Sequence, residues 1–140
     1  MLEPEFGAAP DRCFECLIQS AQEAVSASQR LSEFCLEKGL DRRASNLIGL
    51  CVEEMTINIV THGFNKDKRP HNIDVRLVLG EDGRVIRIRD SCVNFDPTKY
   101  LELHQFDDPA AHIGLRMVMR MVKEANYANS LGLNNLSLVI

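Results

Sequence analysis

The spacing of hydrophobic residues predicts a long amphipathic helix in the first half of the chain. On a helical wheel of about 100° per residue, residues 44–62 gather their apolar side chains into one arc that faces a core. The arc consists of Ala44, Leu47, Ile48, Cys51, Val52, Met55 and Ile59. Asp41 is a capping residue before this stretch and Gly63 follows it. We therefore expect the helix to begin after Asp41 and to end at Gly63.

From His71 the hydrophobic period becomes two. Apolar residues alternate through 73–79 and resume at 85–88, on either side of the turn residues 80–83, and this pattern predicts a β-hairpin. Residues 91–113 then lack sustained periodicity. A segment of that length is rarely an idle connection in a small domain, so we interpret it as a lid over a binding site.

Shorter elements complete the chain. A strand is predicted at 13–18, and a helix capped by Ser20 is predicted to run to about Lys38, before Gly39. The remaining predicted elements are a helix from Gly114 to about Ala125 and two closing strands at 127–130 and 134–140.

The order strand, two helices, hairpin, lid, helix and hairpin predicts an α/β fold. Because the helices are segregated from most strands, we expect a two-layer sandwich of a mainly antiparallel mixed sheet with helices on one face. The length of 140 residues suits a single domain. Residues 1–10 are predicted to be a flexible leader, and residues 11–140 the folded domain.

Composition excludes several classes of partner. A formal net charge of −4 with scattered basic residues argues against nucleic-acid binding. No apolar run approaches the ~18 residues of a membrane span. The chain also lacks the features of a secretory signal at its start. Together with five cysteines, an odd number that suits a reducing compartment, these features predict a cytoplasmic protein without membrane association.

Cys13 and Cys16 have the CxxC spacing of zinc sites and redox dithiols. A zinc site needs a second ligand pair, and a redox dithiol belongs at a helix N-terminus after a strand. If 13–18 is a strand, the two thiols point to opposite faces. We therefore predict that this pair has neither role.

Polar residues interrupt the buried arc of the long helix toward its C-terminal end. Asn58 and His62 project within the arc, and Glu54 lies at its edge, one turn before Asn58. Burying a carboxylate and an amide without partners is costly. This end of the helix therefore either lines a cavity for a cation, water or a polar ligand, or carries a hydrogen-bonded Asn beside an amphipathic Glu.

Two further positions supply candidate binding groups. Asp90 ends a strand, where its carboxylate either accepts a hydrogen bond from an exocyclic amine or initiates a turn. Gly114 opens a helix directly after the predicted lid, and the free N–H groups of such a terminus favour phosphate. Arg116, just inside that helix, either reaches a phosphate or is solvated.

These residues together carry a family resemblance. The segments Glu54-x-x-x-Asn58, Asp90-x-x-x-Asn94-Phe95-Asp96-Pro97 and Gly114-Leu115 resemble the N, G1 and G2 boxes of the GHKL ATPase superfamily. The chain is most similar to bacterial anti-sigma-factor serine kinases. In that group, Glu-x-x-x-Asn-x-x-x-His-Gly, Asp-x-Gly-x-x-Phe-Asp-Pro and a terminal Gly-x-Asn-x-Leu strand recur. The last is here Gly132-Leu133-Asn134-Asn135-Leu136, and the resemblance covers about residues 13–140.

The resemblance implies the Bergerat fold of histidine-kinase-like ATPases, with Mg-ATP bound between the sheet and a lid. It implies that Asn58 holds Mg²⁺, that Glu54 is the general base on the attacking hydroxyl, and that Asp90 binds the adenine amine. The nucleotide-binding residues it implies are Asn58, His62, Asp90, Cys92, Asn94, Phe95, Ile113, Gly114 and Leu115, with Arg116 as an additional phosphate contact.

Three positions depart from the family pattern. Cys92, Asn94 and His112 stand where glycine is usual. A side chain at the first of these positions crowds the adenine, whereas Asn tolerates a left-handed backbone. We therefore expect nucleotide affinity or lid mobility below the family norm, so that ATP binding is a firmer expectation than kinase activity.

The function implied by the resemblance is transfer of the γ-phosphate of ATP to a serine or threonine of a protein antagonist. The implied partners are such an antagonist or a sigma factor, with a homodimer as the candidate assembly. The alternative is a non-catalytic nucleotide-binding module that regulates or switches partners within a larger signalling protein. A histidine-kinase catalytic domain is a weaker alternative, because no dimerisation helix with a phosphoacceptor His precedes these residues.

Overall fold

The computed structural model describes residues 10–62, 71–81, 83–92 and 113–140. After a short 3-10 turn at Pro10–Arg12, these residues form five strands and three α-helices. The elements are β1 (Cys13–Ile18), α1 (Ala21–Glu37), α2 (Arg42–His62), β2 (Ile73–Leu79), β3 (Arg84–Asp90), α3 (Ile113–Met121), β4 (Glu124–Ser130) and β5 (Leu133–Val139). The predicted lid falls almost wholly on residues 93–112, outside the described residues.

The five strands form one sheet in the order β1-β2-β3-β5-β4. Every pairing between neighbours in this sheet is antiparallel. The prediction of an α/β fold on a mainly antiparallel sheet is confirmed, although the described strands include no parallel pair of the kind a mixed sheet contains. Central strand β3 ends at Asp90, which lies opposite Ile73 of β2 and Asn134 of β5.

Alternation along the strands determines which face of the sheet the helices cover. In β2, Ile73, Val75 and Leu77 are fully buried, whereas the intervening Asp74 and Arg76 are partly exposed. Strands β3 and β5 bury alternate residues in the same way, and the residues concerned are Ile86, Ile88, Leu136 and Leu138. The buried face therefore forms one apolar core with α1 and α2.

Helix α2 presents the predicted apolar arc to this core. Five residues of the arc are buried: Ile48, Cys51, Val52, Met55 and Ile59. The prediction is confirmed for the middle of the helix, whereas Ala44 and Leu47 near its N-terminus are only partly buried. Thr56 is also fully buried, and its hydroxyl donates to the carbonyl of Val52 at 2.6 Å. This local hydrogen bond satisfies a polar group that the wheel did not assign to the core.

The predicted caps fix the ends of the first two helices. The Ser20 hydroxyl accepts a hydrogen bond from the N–H of Glu23 at 3.1 Å, and the Asp41 carboxylate accepts from the N–H of Ala44 at 2.7 Å. Helix α1 ends at Glu37, two residues before Gly39, whose φ of +95° is left-handed. The N–H of Leu40 then donates to the carbonyl of Cys35 at 3.0 Å. This is the closing bond of a Schellman motif, and it explains why glycine ends the helix.

A glycine also lets α1 and α2 approach closely. A Cβ placed on Gly49 would lie 3.0 Å from the Ser28 carbonyl oxygen and would overlap the Ser32 hydroxyl. The Ser32 hydroxyl donates to the carbonyl of Ser45 across the same interface, at 3.0 Å. The small side chains therefore hold α2 at a fixed depth, with its polar C-terminal half toward the end of the sheet.

The end of the third helix was predicted wrongly. Helix α3 ends at Met121 instead of about Ala125, and β4 begins at Glu124. The N–H of Lys123 already donates to the carbonyl of Val139 at 2.7 Å, so pairing with β5 replaces the last predicted turn. The two closing strands are joined through Leu131 and Gly132, both with positive φ, as a tight hairpin turn requires.

The two cysteines of the CxxC segment lie on opposite faces of β1, as predicted. Cys13 is opposite Val78 in β2, and Cys16 is opposite Val75. Cys16 packs against the core. Within the described part of the chain, no helix combines the length and apolar character needed to cross a bilayer.

Candidate functional site

The predicted site residues lie on three elements: the C-terminal half of α2, the end of β3 and the first turn of α3. Helix α2 contacts both of the other elements. It therefore connects two groups of polar residues, one around Glu54 and one around Asp90. The side chain of His62, the last residue of α2, lies outside the described residues, as do Asn94 and Phe95.

Glu54 packs directly against the start of α3. A Cβ placed on Gly114 would overlap the Glu54 carboxylate, so a larger residue there would require the Glu54 side chain to move. The side chain is partly buried. Burial, assisted by the negative charge of neighbouring Glu53, raises the pKa of the Glu54 carboxyl above its ordinary value. A carboxylate that retains protons more strongly is a better proton acceptor than a solvated one.

Asn58, one turn further along α2, has its amide held in one orientation. Its Nδ2 donates to the backbone carbonyl of Glu54 at 2.7 Å. The oxygen Oδ1 therefore occupies the other corner of the amide, away from the helix backbone. This hydrogen bond is the one that the second interpretation from sequence expects, and it is compatible with a ligand at Oδ1. The bond also leaves an oxygen of the kind that Mg²⁺ prefers on the side away from the helix.

Asp90 is a buried carboxylate with one oxygen already engaged. Its side chain is only 5% exposed. Oδ1 accepts from the N–H of Cys92 at 3.0 Å and from Nδ2 of Asn134 at 2.8 Å. The first bond makes Asp90 the initiator of a turn, and the second ties it to β5. The two predicted roles of Asp90 are compatible, because the turn uses Oδ1 and no bond from the part of the chain that the structure describes engages Oδ2.

Asn134 is a site residue that the sequence did not identify as one. Besides Asp90, its Nδ2 donates to the carbonyl of Cys92 at 3.2 Å. Its Oδ1 accepts from the Tyr127 hydroxyl and from Nδ2 of Asn129, the latter at 3.0 Å. Two signals were available: its place in the Gly132–Leu136 segment that contributes to the family resemblance, and its position in β5 in phase with the buried Leu136 and Leu138. A polar residue at a core-facing strand position indicates a specific partner.

His71 is a second buried polar residue near the end of β3. It is 7% exposed, and its Nδ1 lies 3.0 Å from the hydroxyl of Ser91, the residue after Asp90. This contact joins the residues just before β2 to the turn that follows β3. Nothing in the local sequence around His71 indicated it.

The predicted phosphate-binding residues in the first turns of α3 have different surroundings from one another. Ile113 is exposed, Gly114 faces Glu54, and Leu115 is buried in the core. Arg116 follows and is partly buried. The backbone N–H groups of this turn are those that an α-helix cannot satisfy itself, so they can bind an anion. The side chain of Ile113 faces solvent. The side chain of Leu115 packs in the core and anchors the helix.

These features define a two-layer α/β domain in which a buried Asp at the end of a central strand lies beside a helix bearing Glu and Asn. Residues 18–140 match the family described as histidine kinase-like ATPase domain. The chain belongs to this family. It is therefore an ATP-binding domain, and membership implies ATP and Mg²⁺ as its ligands.

The fold is also that of a solved kinase domain. The histidine kinase domain of the blue-light activated histidine kinase from Erythrobacter litoralis EL346 superposes with a TM-score of 0.57. The sequences are 15% identical, and the match covers 96% of this chain and 70% of that chain. At this identity the likeness concerns the fold alone. No curated protein matches this sequence.

Proposed function

We propose that this domain binds Mg-ATP and transfers its γ-phosphate to a serine or threonine hydroxyl of a protein antagonist. The observation that carries the proposal is the Glu54 carboxylate, partly buried against Gly114 and one turn before Asn58. A proton acceptor, an amide oxygen and a helix N-terminus thus come together from two packed helices. Phosphoryl transfer depends on positioning and charge neutralisation by groups of these types.

Glu54 would act as the general base. The pKa of the Glu54 carboxyl is raised toward neutral pH. Transfer of a hydroxyl proton to this carboxylate is therefore less unfavourable than transfer to an ordinary one. Its contact with Gly114 fixes the carboxylate relative to the first turn of α3. The N–H groups of that turn supply partial positive charge for a phosphate.

The donor chemistry at Asn58 fits Mg²⁺. Its Oδ1 is the ligand atom, because Nδ2 is bonded to the backbone. Mg²⁺ binds oxygen, keeps several waters and shares phosphate oxygens of the nucleotide, so one protein oxygen is a sufficient anchor. When bound, Mg²⁺ supplies neutralisation of the phosphate charge. Asn58 would therefore set where that charge is neutralised.

Asp90 would accept a hydrogen bond from the exocyclic amine of adenine through Oδ2. The acceptor of the phosphate would be an antagonist protein of the kind associated with anti-sigma factors. Binding of a sigma factor and formation of a homodimer belong to the same proposal. The resemblance of the Glu54, Asp90 and Gly114 segments to anti-sigma-factor kinases supports this part.

Binding and transfer are tested separately. A ligand that binds only the native state at a hundredfold excess over Kd stabilises it by about 2.7 kcal/mol. Millimolar Mg-ATP should therefore raise the Tm of the wild type, and Asp90→Ala should lose most of the gain. An unchanged Tm for well-folded wild-type protein would contradict the nucleotide site.

Transfer is followed with labelled ATP and candidate antagonists. Glu54→Gln should bind ATP yet lose about 10²–10⁴ in rate, the usual contribution of a general base. Glu33→Gln is the matched control, because Glu33 is an exposed carboxylate on α1, an element that carries none of the proposed site residues. Equal transfer by Glu54→Gln and wild type would refute the base. ATP binding with no transfer to an antagonist that demonstrably binds would identify a regulatory module instead.

A further inference from the structure

Asn134 uses its whole hydrogen-bonding capacity at the end of the central strand. The side chain is 3% exposed and lies opposite Asp90 in the pairing of β5 with β3. Its amide nitrogen donates to the Asp90 carboxylate and the Cys92 carbonyl. Its oxygen accepts from Tyr127 and Asn129. An asparagine has two N–H donors and two acceptor lone pairs, so no capacity remains for a ligand.

These partners permit only one orientation of the amide. If the oxygen and nitrogen of Asn134 were exchanged, the oxygen would face two acceptors, the Asp90 carboxylate and the Cys92 carbonyl. The nitrogen would then face the amide nitrogen of Asn129, a donor. The network therefore directs a donor toward Asp90 whatever else occupies the site.

The Asp90 carboxylate is oriented as a consequence. Oδ1 receives both the Asn134 amide and the N–H of Cys92, at 2.8 and 3.0 Å. Two donors on one oxygen leave Oδ2 as the acceptor for a further group. An ionised carboxylate accepts only, so Oδ2 favours an amine and repels a carbonyl at the same place. In purines this distinguishes a 6-amino group from a 6-oxo group.

We propose that Asn134, held by Tyr127 and Asn129, is the positioning residue for base selection, because it fixes Asp90 with Oδ2 toward the 6-amino group of a purine nucleotide. This inference rests on the nucleotide site proposed above and adds the residue that gives it specificity. Asn134 acts through Asp90 and makes no contact with the base. Its loss should therefore weaken recognition of the 6-amino group more than binding of the rest of the nucleotide.

The test compares ATP with purine riboside 5′-triphosphate, which lacks the 6-amino group. Calorimetry with Mg²⁺ gives the affinity of each nucleotide for wild type, Asp90→Ala, Asn134→Ala and the double variant. A hydrogen bond to a charged group is worth about 10- to 100-fold in affinity. The wild type should prefer ATP by that factor. Asn134→Ala should lose most of the preference while its affinity for the riboside changes less than about threefold, and in the Asp90→Ala background it should have no further effect.

Tyr127→Phe provides a second variant, which removes one of the hydrogen bonds that hold the Asn134 amide and keeps the aromatic ring. The preference for ATP should fall in this variant, while its affinity for the riboside changes less than about threefold. A role of Asn134 in stability alone would instead lower both affinities together.

The outcomes distinguish the inference from the proposed function. Equal loss of affinity for both nucleotides in Asn134→Ala, or a full preference for ATP retained in Asn134→Ala and in Tyr127→Phe, overturns the role of Asn134 while ATP binding stands. A wild type that binds both nucleotides equally overturns base reading through Asp90. A folded wild type that binds neither nucleotide refutes the nucleotide site itself, and the inference with it.

Discussion

Replacing Gly114 with alanine is expected to be less favourable for stability while the Glu54 side chain is present than after that side chain is removed. The added Cβ would overlap the Glu54 carboxylate, which packs against the first turn of α3. When Glu54 is shortened to alanine, the three atoms nearest to that Cβ are removed. The two substitutions should therefore be coupled in their effect on the free energy of unfolding.

Two opposing effects set the change in the free energy of unfolding caused by Gly114→Ala, but only the second depends on Glu54 and enters the coupling. Alanine is favoured over glycine inside a helix by up to about 1 kcal/mol, and Gly114 lies in α3 without a positive φ. Overpacking costs ~1–3 kcal/mol. The lower value applies because the overlapping atoms are the end of a flexible side chain. We expect about 1 kcal/mol of coupling, which corresponds to ~4 °C in Tm for a chain of this size.

Urea unfolding of the wild type, Gly114→Ala, Glu54→Ala and the double variant measures the coupling. Gly49→Ala is the control, because its Cβ would lie 3.0 Å from the backbone carbonyl of Ser28. Removing the Glu54 side chain does not relieve that contact, so the cost of Gly49→Ala should be equal in both backgrounds. If the effects of Gly114→Ala and Glu54→Ala add to within ~0.5 kcal/mol, the proposed packing is refuted.

Four further predictions follow from the same contacts. Because burial raises the pKa of Glu54, its contribution to stability is complete below the ordinary value of 4.5 and is lost as pH rises through the folded value. The free energy of unfolding of Glu54→Gln, measured with urea, should therefore increase relative to that of the wild type as pH increases. A difference between the two proteins that is constant with pH would contradict this. Asn58→Ala should lower the affinity for ATP, measured by calorimetry, when Mg²⁺ is present but not when EDTA removes it. An equal loss of ATP affinity under both conditions would exclude Asn58 as a metal ligand. Elemental analysis should find no zinc, and Cys13→Ser with Cys16→Ser should leave ATP affinity unchanged; stoichiometric zinc lost in the double variant would overturn this. Burial raises the pKa of Cys51 to about 12, so peptide mapping should show its alkylation only after unfolding, and rapid native labelling would contradict its burial.

The helices were predictable where local chemistry ends them. Ser20 and Asp41 cap their helices through hydrogen bonds to residues three positions away, and Gly39 ends α1 through its own left-handed φ. All three effects act within one turn of the chain. The sequence next to each residue therefore contains the information needed to place the end of the helix.

The end of α3 and the support of Asp90 were not predictable in this way. Ala125 continues the apolar spacing of α3, but pairing of β4 with β5 draws it into the sheet opposite Leu138. Asn134 contacts Asp90 across 44 positions of sequence. Both outcomes depend on strand register, which arises from packing of the whole sheet. Periodicity within one segment cannot supply it.

The two halves of the candidate site are held by different parts of the fold. Asp90 is fixed by β5 through Asn134, whereas Glu54 is fixed by its contact with Gly114 in α3. Within the contacts described here, the two halves share α2 but no hydrogen bond. The proposed base selection by Asp90 and the proposed proton transfer by Glu54 therefore rest on separate contacts. A change such as Cys92 at a usual glycine position affects the turn beside Asp90 and leaves the packing of Glu54 intact.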